Sequence, residues 1–183
     1  PWPIQYAAMI PLFRLIFMDR NFLGIALHSE YSRQAYISKG FDPHKLLTAH
    51  NGYDKRYYTP ALSKGEARAL TGLERDAKIA MYAGRISMKK GLDHVLRLAQ
   101  ARPDVEFVFV GPGDESGEFA RAAQHLANCQ IIGWQPEDAL PKYLFSADVL
   151  IIPPTAGPLQ KTGNTVLPIK LFSYLAAGRA IYA

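Results

Sequence analysis

The chain has 183 residues and a net charge of +5, with 49% hydrophobic and 20% charged residues, which is typical of a globular protein with a substantial core. Its single cysteine, Cys129, excludes a disulfide framework within the chain and favours a reducing compartment. No apolar run approaches the roughly 20 residues that span a bilayer, and the basic excess admits nucleic acid, acidic lipid or a phosphorylated small molecule as partner.

The first sixty residues predict the last elements of one domain and then a linker. A strand is predicted over 22–29, a helix over 30–40 that ends at Gly40, and a second strand over 45–50. Residues 51–60 are rich in turn-forming residues and predict an interdomain linker. We therefore expect residues 1–50 to be the tail of an N-terminal α/β domain.

From residue 61 onward, helices and strands alternate regularly. Helices are predicted over 63–72, 91–102, 116–127, 136–147 and 166–178, and strands over 77–84, 105–113, 130–134, 148–154 and from 179. Pro136 falls in the first turn of its predicted helix, where proline is tolerated. The strands are continuously apolar, which is typical of a parallel sheet buried on both faces. Residues 61–183 therefore predict a doubly wound α/β domain.

The ends of the chain favour a piece of a longer protein. The sequence begins without Met and stops inside a predicted strand, so we expect the second domain to be cut short at its C-terminus. The opening segment carries Arg14 and Arg20 among apolar residues. It predicts a helix that either lies on a membrane surface or packs beneath the N-terminal domain, and the second is favoured.

Two cations follow the predicted strand 77–84, at the edge where a doubly wound sheet binds ligands. Gly84 allows a tight turn, Arg85 comes next, and Lys90 opens the following helix. Two like charges at one strand end repel each other unless an anion lies between them. A pyrophosphate would bind Arg in a bidentate manner and Lys as a point charge. A pair of solvated surface charges is the alternative.

Two later stretches could approach the same ligand. Gly111 and Gly113 would admit a base or sugar close to the backbone, although a plain strand-to-helix turn explains them equally well. The dinucleotide fingerprint is excluded, because Ser116 stands where its third glycine is required. A turn-rich loop then leads into a helix that starts near Val166–Pro168, and its N–H groups and dipole would suit phosphate. A well-capped helix without a ligand is the alternative there.

Five stretches, in this order, resemble the C-terminal domain of two-domain (GT-B) retaining glycosyltransferases of the group 1 family. They read NGYDKRYYTP, YAGRISMKKGLDHVL, FVFVGPGDESGEF, IIGWQPEDALPKYLFSADVLIIPP and LPIKLFSYLAAGRAI. The resemblance covers roughly residues 24–183 and implies the Rossmann-like half of a GT-B fold, preceded by a remnant of the N-terminal domain. It implies transfer of a sugar from a UDP- or GDP-linked donor to a hydroxyl of a glycan or lipid-linked glycan, with retention of configuration, in polysaccharide or glycolipid biosynthesis.

The resemblance also implies roles for particular residues. Arg85 and Lys90 would bind the donor diphosphate and stabilise the leaving phosphate. The segment Gly133–Gln135 would border the nucleobase, and Thr165–Pro168 would offer N–H groups to phosphate. The rest of the implied donor site is completed by Gly84, Gly111, Trp134, Val166, Leu167 and Ser173. No cofactor is implied, and the sequence shows no cluster at metal-ligand spacing.

Two residues depart from the family pattern. Ser173 stands where the family usually has a Glu that hydrogen-bonds the ribose, and Thr165 stands where another Glu lies near the donor sugar. A hydroxyl can still bind a ribose, but a charge-assisted hydrogen bond is roughly twice as strong as a neutral one. The departure at Ser173 therefore predicts weaker donor binding or a different donor.

Several alternatives stay open. The domain could bind nucleotides without catalysing transfer, or it could belong to a sugar-nucleotide epimerase or a phosphorylase of the same fold, although the pyridoxal-binding Lys context of phosphorylases is missing. Nucleic-acid binding is disfavoured because Lys and Arg are scattered along the chain. We expect the fragment alone to be inactive. We expect the protein to lie in the cytoplasm or at the inner face of the membrane, which it would contact through the N-terminal domain.

Overall fold

The computed structural model describes residues 2–113, 117–154 and 168–183, and of residues 2–8 and 10 it describes the backbone only. Thr165, Val166 and Leu167 of the expected donor site therefore lie outside the described residues. The described residues form two compact units, which are divided along the chain between Asn51 and Gly52. Each unit contains a parallel β-sheet.

The first unit is a short strand–helix–strand motif preceded by a helix. Its elements are α1 (Trp2–Met18), β1 (Ile25–Leu27), α2 (Glu30–Ile37), a 3₁₀ turn (Pro43–Lys45) and β2 (Leu46–Thr48). The two strands pair in parallel, as a strand–helix–strand connection requires. Helix α2 ends at Ile37 and not at Gly40, because Ser38 caps it and Gly40 lies beyond the cap with φ +85°.

The second unit is built around five parallel strands. The strands are β3 (Ile79–Ala83), β4 (Glu106–Val110), β5 (Cys129–Ile132), β6 (Val149–Ile151) and β7 (Ala180–Tyr182), in the order β5-β4-β3-β6-β7. The helices are α3 (Lys64–Thr71), α4 (Leu92–Ala101), α5 (Glu118–Ala123), α6 (Leu140–Ser146) and α7 (Lys170–Ala177), with 3₁₀ turns at Lys55–Tyr58 and Met88–Lys90.

Helices cover both faces of this sheet. All five residues of β3 are buried, which is what its continuous apolar run predicts. On one face, side chains of α3, α6 and α7, such as Leu144 and Tyr174, pack against Met81 of β3. On the other face, side chains of α4 and α5, such as Leu92 and Phe119, pack in a separate cluster. The predicted fold class, a doubly wound parallel sheet, is confirmed.

The direction of the chain across the sheet reverses at β3. From β3 the chain moves outward to β4 and β5, then returns through α6 to β6 on the opposite side of β3, and continues to β7. Right-handed crossovers in the two directions place their helices on opposite faces. Such a reversal opens a crevice at the carboxyl ends of the two central strands, here β3 and β6, where ligands of doubly wound sheets bind.

A buried arginine connects the two halves of the sheet at the opposite end of these strands. Arg68 of α3 is 2% exposed; its Nη2 donates to Asp148 Oδ2 over 2.8 Å, and its Nε donates to the Ser146 carbonyl over 2.9 Å. Asp148, just before β6, also accepts a hydrogen bond from the Ile79 amide of β3. The start of β6 is thereby fixed beside the start of β3.

Most elements are shorter than predicted. Helix α6 begins at Leu140, so Pro136 lies in a preceding turn, where its carbonyl accepts hydrogen bonds from the amides of Ala139 and Leu140. Helix α7 begins at Lys170, after the start expected near 166–168. Strands β3 and β4 end before Gly84 and Gly111, because both glycines adopt a positive φ that leaves the extended conformation.

Candidate functional site

Gly84 and Gly111 shape the sheet edge next to the crevice. The Gly84 amide donates to the Val110 carbonyl over 2.8 Å, and both glycines are held near φ +140°. A Cβ built on Gly111 would lie 2.3 Å from the carbonyl oxygen of Gly84. The close approach of two backbone segments therefore explains the glycine at 111. A contact of Gly111 with a ligand stays a prediction.

The turn between β3 and α4 reaches across to the end of β6. Its 3₁₀ turn, Met88–Lys90, ends at Gly91 with φ +73°. A Cβ on Gly91 would lie 2.4 Å from the carbonyl oxygen of Pro154, which follows β6. Only a glycine permits this contact, and the contact holds Lys90 next to the chain that leaves β6.

Arg85 lines a cleft of about 350 Å³ between the chain segments that follow β3 and β4. Lys89, Gly113 and Glu118 line the same cleft, whereas Lys90 does not. Within the part of the chain that the structure describes, the side chains of Arg85, Lys89 and Lys90 make no hydrogen bond or ion pair. Three exposed cations thus lie at this sheet edge with no partner among residues 2–113, 117–154 and 168–183, and a shared anion between Arg85 and Lys90 stays a prediction.

Lys170, in the first turn of α7, brings a further cation to the crevice. Its Nζ lies 3.7 Å from the centroid of the Tyr82 ring. Burial and, to a lesser extent, the positive charge of Lys90 together lower the pKa of Lys170 to about 8. The Tyr82 hydroxyl donates to the Arg85 carbonyl over 2.9 Å, and burial raises the pKa of Tyr82 to about 12.

Tyr174 of α7 occupies the gap between the carboxyl ends of β3 and β6. These strands are paired only at Ala80–Met81 and Val149–Leu150. Beyond that pairing, the buried Tyr174 hydroxyl accepts a hydrogen bond from the Ala83 amide over 2.8 Å and lies 3.3 Å from the Ile151 carbonyl. Burial raises the pKa of Tyr174, so the neutral phenol persists throughout the physiological range. The hydroxyl therefore supports the separation of the strands.

Ser173, the residue expected at the ribose, has a protein partner. Its side chain hydrogen-bonds the hydroxyl of Tyr58, whose pKa is raised mainly by burial and lowered in part by this bond. Tyr58 belongs to the 3₁₀ turn in the predicted linker, and its ring makes an edge contact with Phe145 of α6 at 6.0 Å. A role of Ser173 at the ribose stays a prediction.

The remaining expected residues lie on exposed connections. Gly133, Trp134 and Gln135 follow β5, and the Trp134 side chain is 68% exposed. Pro168 is exposed just before α7, and its carbonyl accepts a hydrogen bond from the Leu171 amide over 2.9 Å. A contact of any of these residues with a nucleotide stays a prediction.

Two kinds of feature, a metal-binding cluster and a membrane-spanning helix, are absent from the described residues. Residues 2–113, 117–154 and 168–183 contain no group of three or more His, Cys, Asp or Glu side chains that could hold a metal ion. The helices of that same part of the chain include none with the length and apolar character needed to cross a membrane.

A family model described as "Glycosyl transferases group 1" matches residues 63–180, which is more than half of the chain. The chain belongs to the group 1 glycosyl transferase family. The matched range includes Arg85, Lys90 and Lys170, the cations around the crevice.

Known relatives agree with this membership. The chain is 29% identical over 138 residues to a D-inositol 3-phosphate glycosyltransferase of Mycolicibacterium gilvum (strain PYR-GCK). The alignment covers 70% of this chain and 31% of the relative. The chain thus spans about a third of that relative's length.

Solved glycosyltransferase structures share its fold. WaaG, a glycosyltransferase involved in lipopolysaccharide biosynthesis, matches with a TM-score of 0.68 and 16% identity over 97% of this chain and 48% of that one. HepE from Anabaena, solved in complex with UDP, matches with a TM-score of 0.65 and 18% identity over 87% of this chain and 44% of that one. These likenesses confirm the predicted fold class.

Sequence reasoning missed Lys89, Lys170 and Tyr174 in this group 1 glycosyl transferase chain. The spacing of Lys170 and Tyr174, four residues apart in KLFSYLAAG, places both on one face of a helix and could have linked them. The face that they share could not be oriented from sequence, because it depends on how α7 packs across β3 and β6. Lys89 is adjacent to Lys90 in the stretch YAGRISMKKGLDHVL. The geometry of the 3₁₀ turn brings Lys89 but not Lys90 to the cleft lined by Arg85, and sequence alone does not show this.

Proposed function

We propose that the protein transfers a sugar from a nucleoside diphosphate donor to an acceptor hydroxyl, with retention of configuration at the anomeric carbon. The supporting observation is the group of cations, Arg85, Lys90 and Lys170, around the crevice where the strand order reverses, none of which has an ion-pair partner among the described residues. As the bond to the sugar breaks, negative charge accumulates on the departing diphosphate. Cations held in place before the reaction stabilise that charge without reorganising, which is an effective form of catalysis.

We assign the parts of the chain to this reaction as follows. Residues 1–50 would belong to the acceptor domain, 51–60 would link the domains, and 61–183 would bind the donor. Gly84 would form the tight turn at the diphosphate site, and Gly111 would admit a base or sugar. Gly133, Trp134 and Gln135 would border the nucleobase, and Thr165, Val166, Leu167 and Pro168 would meet phosphate. No cofactor beyond the sugar nucleotide is proposed.

The proposed donor is UDP- or GDP-linked, and the proposed acceptor is a glycan or lipid-linked glycan. The UDP bound by HepE and the lipopolysaccharide pathway of WaaG support this choice. We include in the proposal a cytoplasmic location with peripheral contact at the inner face of the membrane, and no nucleic-acid partner. Cell fractionation of the full-length protein tests the location.

One observation favours a second candidate, a nucleotide-binding domain that does not catalyse transfer. The family's usual Glu is replaced by Ser173, and the Ser173 hydroxyl already hydrogen-bonds Tyr58. A ribose hydroxyl would therefore compete with Tyr58 for a short, uncharged side chain. Under this alternative the protein binds nucleoside diphosphates but transfers no sugar.

The experiment that separates the candidates incubates the full-length protein with a panel of UDP-, GDP- and ADP-sugars and glycan acceptors. Mass spectrometry of the products should detect transfer of a hexose, and NMR of the new linkage should show the anomeric configuration of the donor. An inverted linkage would overturn the retaining mechanism. Nucleotide binding without transfer would support the inactive module, and an isomerised sugar nucleotide would indicate an epimerase.

A further inference from the structure

The position of Lys170 disfavours its charged form, because the ammonium is partly buried. It lies in the first turn of α7, over the ring of Tyr82, and its Nζ is 3.1 Å from the position of a Cβ on Gly84. No ion pair or hydrogen bond of its ammonium is found within the described part of the chain. The contact with the Tyr82 ring offsets part of the hydration that this partly buried ammonium loses, and no carboxylate of the described residues offsets the rest, so an anionic ligand would be favoured beside it.

The groups that face Lys170 make the case stronger. From β3 it meets the Tyr82 ring, and Arg85 follows directly on the same strand end; from the β3–α4 turn it meets the charge of Lys90; on its own helix Tyr174 lies four residues later. Tyr82 and Tyr174 both stay neutral, because burial raises the pKa of each phenol. Among the described residues, the charge that acts on Lys170 is therefore that of the cation Lys90, and an anion is the ligand that two neighbouring cations favour.

We infer that Lys170 is a further anion-binding residue of the donor site, and that it takes up a proton when the nucleoside diphosphate binds. The inference rests on the proposed function, because it assigns this residue to the proposed donor. The pKa of Lys170 in the free protein is about 8, so the side chain is partly neutral just above neutral pH. A bound diphosphate would reverse the local charge and restore the ammonium.

The proton uptake has a defined size and pH dependence. With a pKa of about 8 in the free protein, about nine tenths of Lys170 is neutral at pH 9 and about a quarter at pH 7.5. Binding that returns the pKa to about 10.4 should therefore take up about 0.9 proton per UDP at pH 9 and about 0.2 at pH 7.5. UDP itself contributes almost nothing, because its terminal phosphate titrates at about pH 6.

The test is isothermal titration calorimetry of the full-length protein with UDP, at both pH values and in two buffers of different ionisation enthalpy. Lys170→Arg, which stays charged at both pH values, should bind UDP at pH 9 with the uptake abolished. Lys170→Met should lose the uptake and bind UDP roughly tenfold or more weakly at pH 7.5, where the wild-type ammonium is mostly present. Lys142→Met, at an exposed position of α6, is the matched control and should behave as wild type.

Each outcome decides the inference. Wild-type binding without proton uptake, or equal uptake in wild type and Lys170→Met, would overturn it while leaving the proposed donor site intact. If Lys170 only packs against Tyr82, UDP binding should cause no proton uptake that depends on Lys170. In that case Lys170→Met could still change the unfolding temperature. Failure of the wild-type protein to bind UDP or GDP at all would overturn the proposed function and this inference together.

Discussion

At the scale of single residues, Gly111 provides a steric test of the sheet edge. Its φ is +139°, and a Cβ there would lie 2.3 Å from the Gly84 carbonyl oxygen. Gly111→Ala should lower the free energy of unfolding by roughly 2–4 kcal/mol, because it adds a clash to backbone strain. Urea denaturation followed by circular dichroism measures the change.

Gly65 is the matched control for Gly111, because nothing lies within 4 Å of a Cβ built there. It belongs to α3, where alanine favours the helical conformation, so Gly65→Ala should stabilise the protein by about 0.5 kcal/mol. Two variants of equal stability would show that the close approach of Gly84 and Gly111 is not maintained in solution.

Asp148 gives a prediction about stability and pH. Burial raises the pKa of its carboxyl, but hydrogen bonds from Lys64, the Ile79 amide and Arg68 outweigh this and lower the pKa overall. Asp148→Asn leaves the buried Arg68 without its carboxylate and should destabilise the protein by roughly 3 kcal/mol at pH 7. The pKa of Asp148 is lower in the folded than in the unfolded protein. The difference in free energy of unfolding between wild type and Asp148→Asn should therefore persist above about pH 4 and shrink as the pH falls through the folded pKa.

Urea denaturation of both proteins at pH 7 and in acid measures this dependence, with Asp104→Asn as the control. Asp104 pairs with Arg102 on the surface, and exposed ion pairs contribute little to stability. The control should therefore unfold much closer to wild type. A loss on Asp148→Asn no larger than that of the control would contradict the role given to Arg68 and Asp148.

At the scale of elements, the Tyr174 hydroxyl of α7 connects the separated carboxyl ends of β3 and β6. The Tyr174 hydroxyl accepts from the Ala83 amide, which lies beyond the last paired residues of β3 and β6. Tyr174→Phe would leave a buried N–H group unsatisfied and should cost about 1–3 kcal/mol in the free energy of unfolding.

Tyr143→Phe is the control for this change, because Tyr143 packs partly buried against the same core and its hydroxyl has no hydrogen bond within the described residues. It should leave stability within about 0.5 kcal/mol of wild type. Thermal unfolding of the two variants side by side measures the difference. An equal effect of both substitutions would rule out a specific role of the Tyr174 hydroxyl.

The elements themselves show how far sequence reasoning reaches. The apolar run of β3 predicted a strand buried on both faces, and the structure has all five residues buried. The ends of β3 and β4 were placed too late, because Gly84 and Gly111 take a positive φ that composition alone does not reveal. Pro136 was placed inside α6, although Pro141 is the proline that occupies the first turn of that helix.

At the scale of the whole molecule, the fold class and the family followed from local patterns read in order. Strand and helix alternation required the doubly wound sheet, and the strand order then brings Arg85 and Lys170 to one edge although they are 85 positions apart in the chain. The sequence predicted that the start of this helix approaches the same ligand as Arg85, but it could not predict that Lys170 lies over the Tyr82 ring, because that depends on how α7 packs across β3 and β6. The bond between Ser173 and Tyr58 is hidden for the same reason.

The most direct test of the donor site compares the affinities of the full-length protein for UDP, GDP and their nucleosides, in wild type and in the variants Arg85→Ala and Lys90→Ala. The diphosphates should bind far more tightly than uridine or guanosine. Each substitution should weaken diphosphate binding by about 1.5–3 kcal/mol, whereas Lys142→Ala should have no effect. Unchanged diphosphate affinity in both variants would contradict the assignment of this sheet edge to a sugar-nucleotide donor.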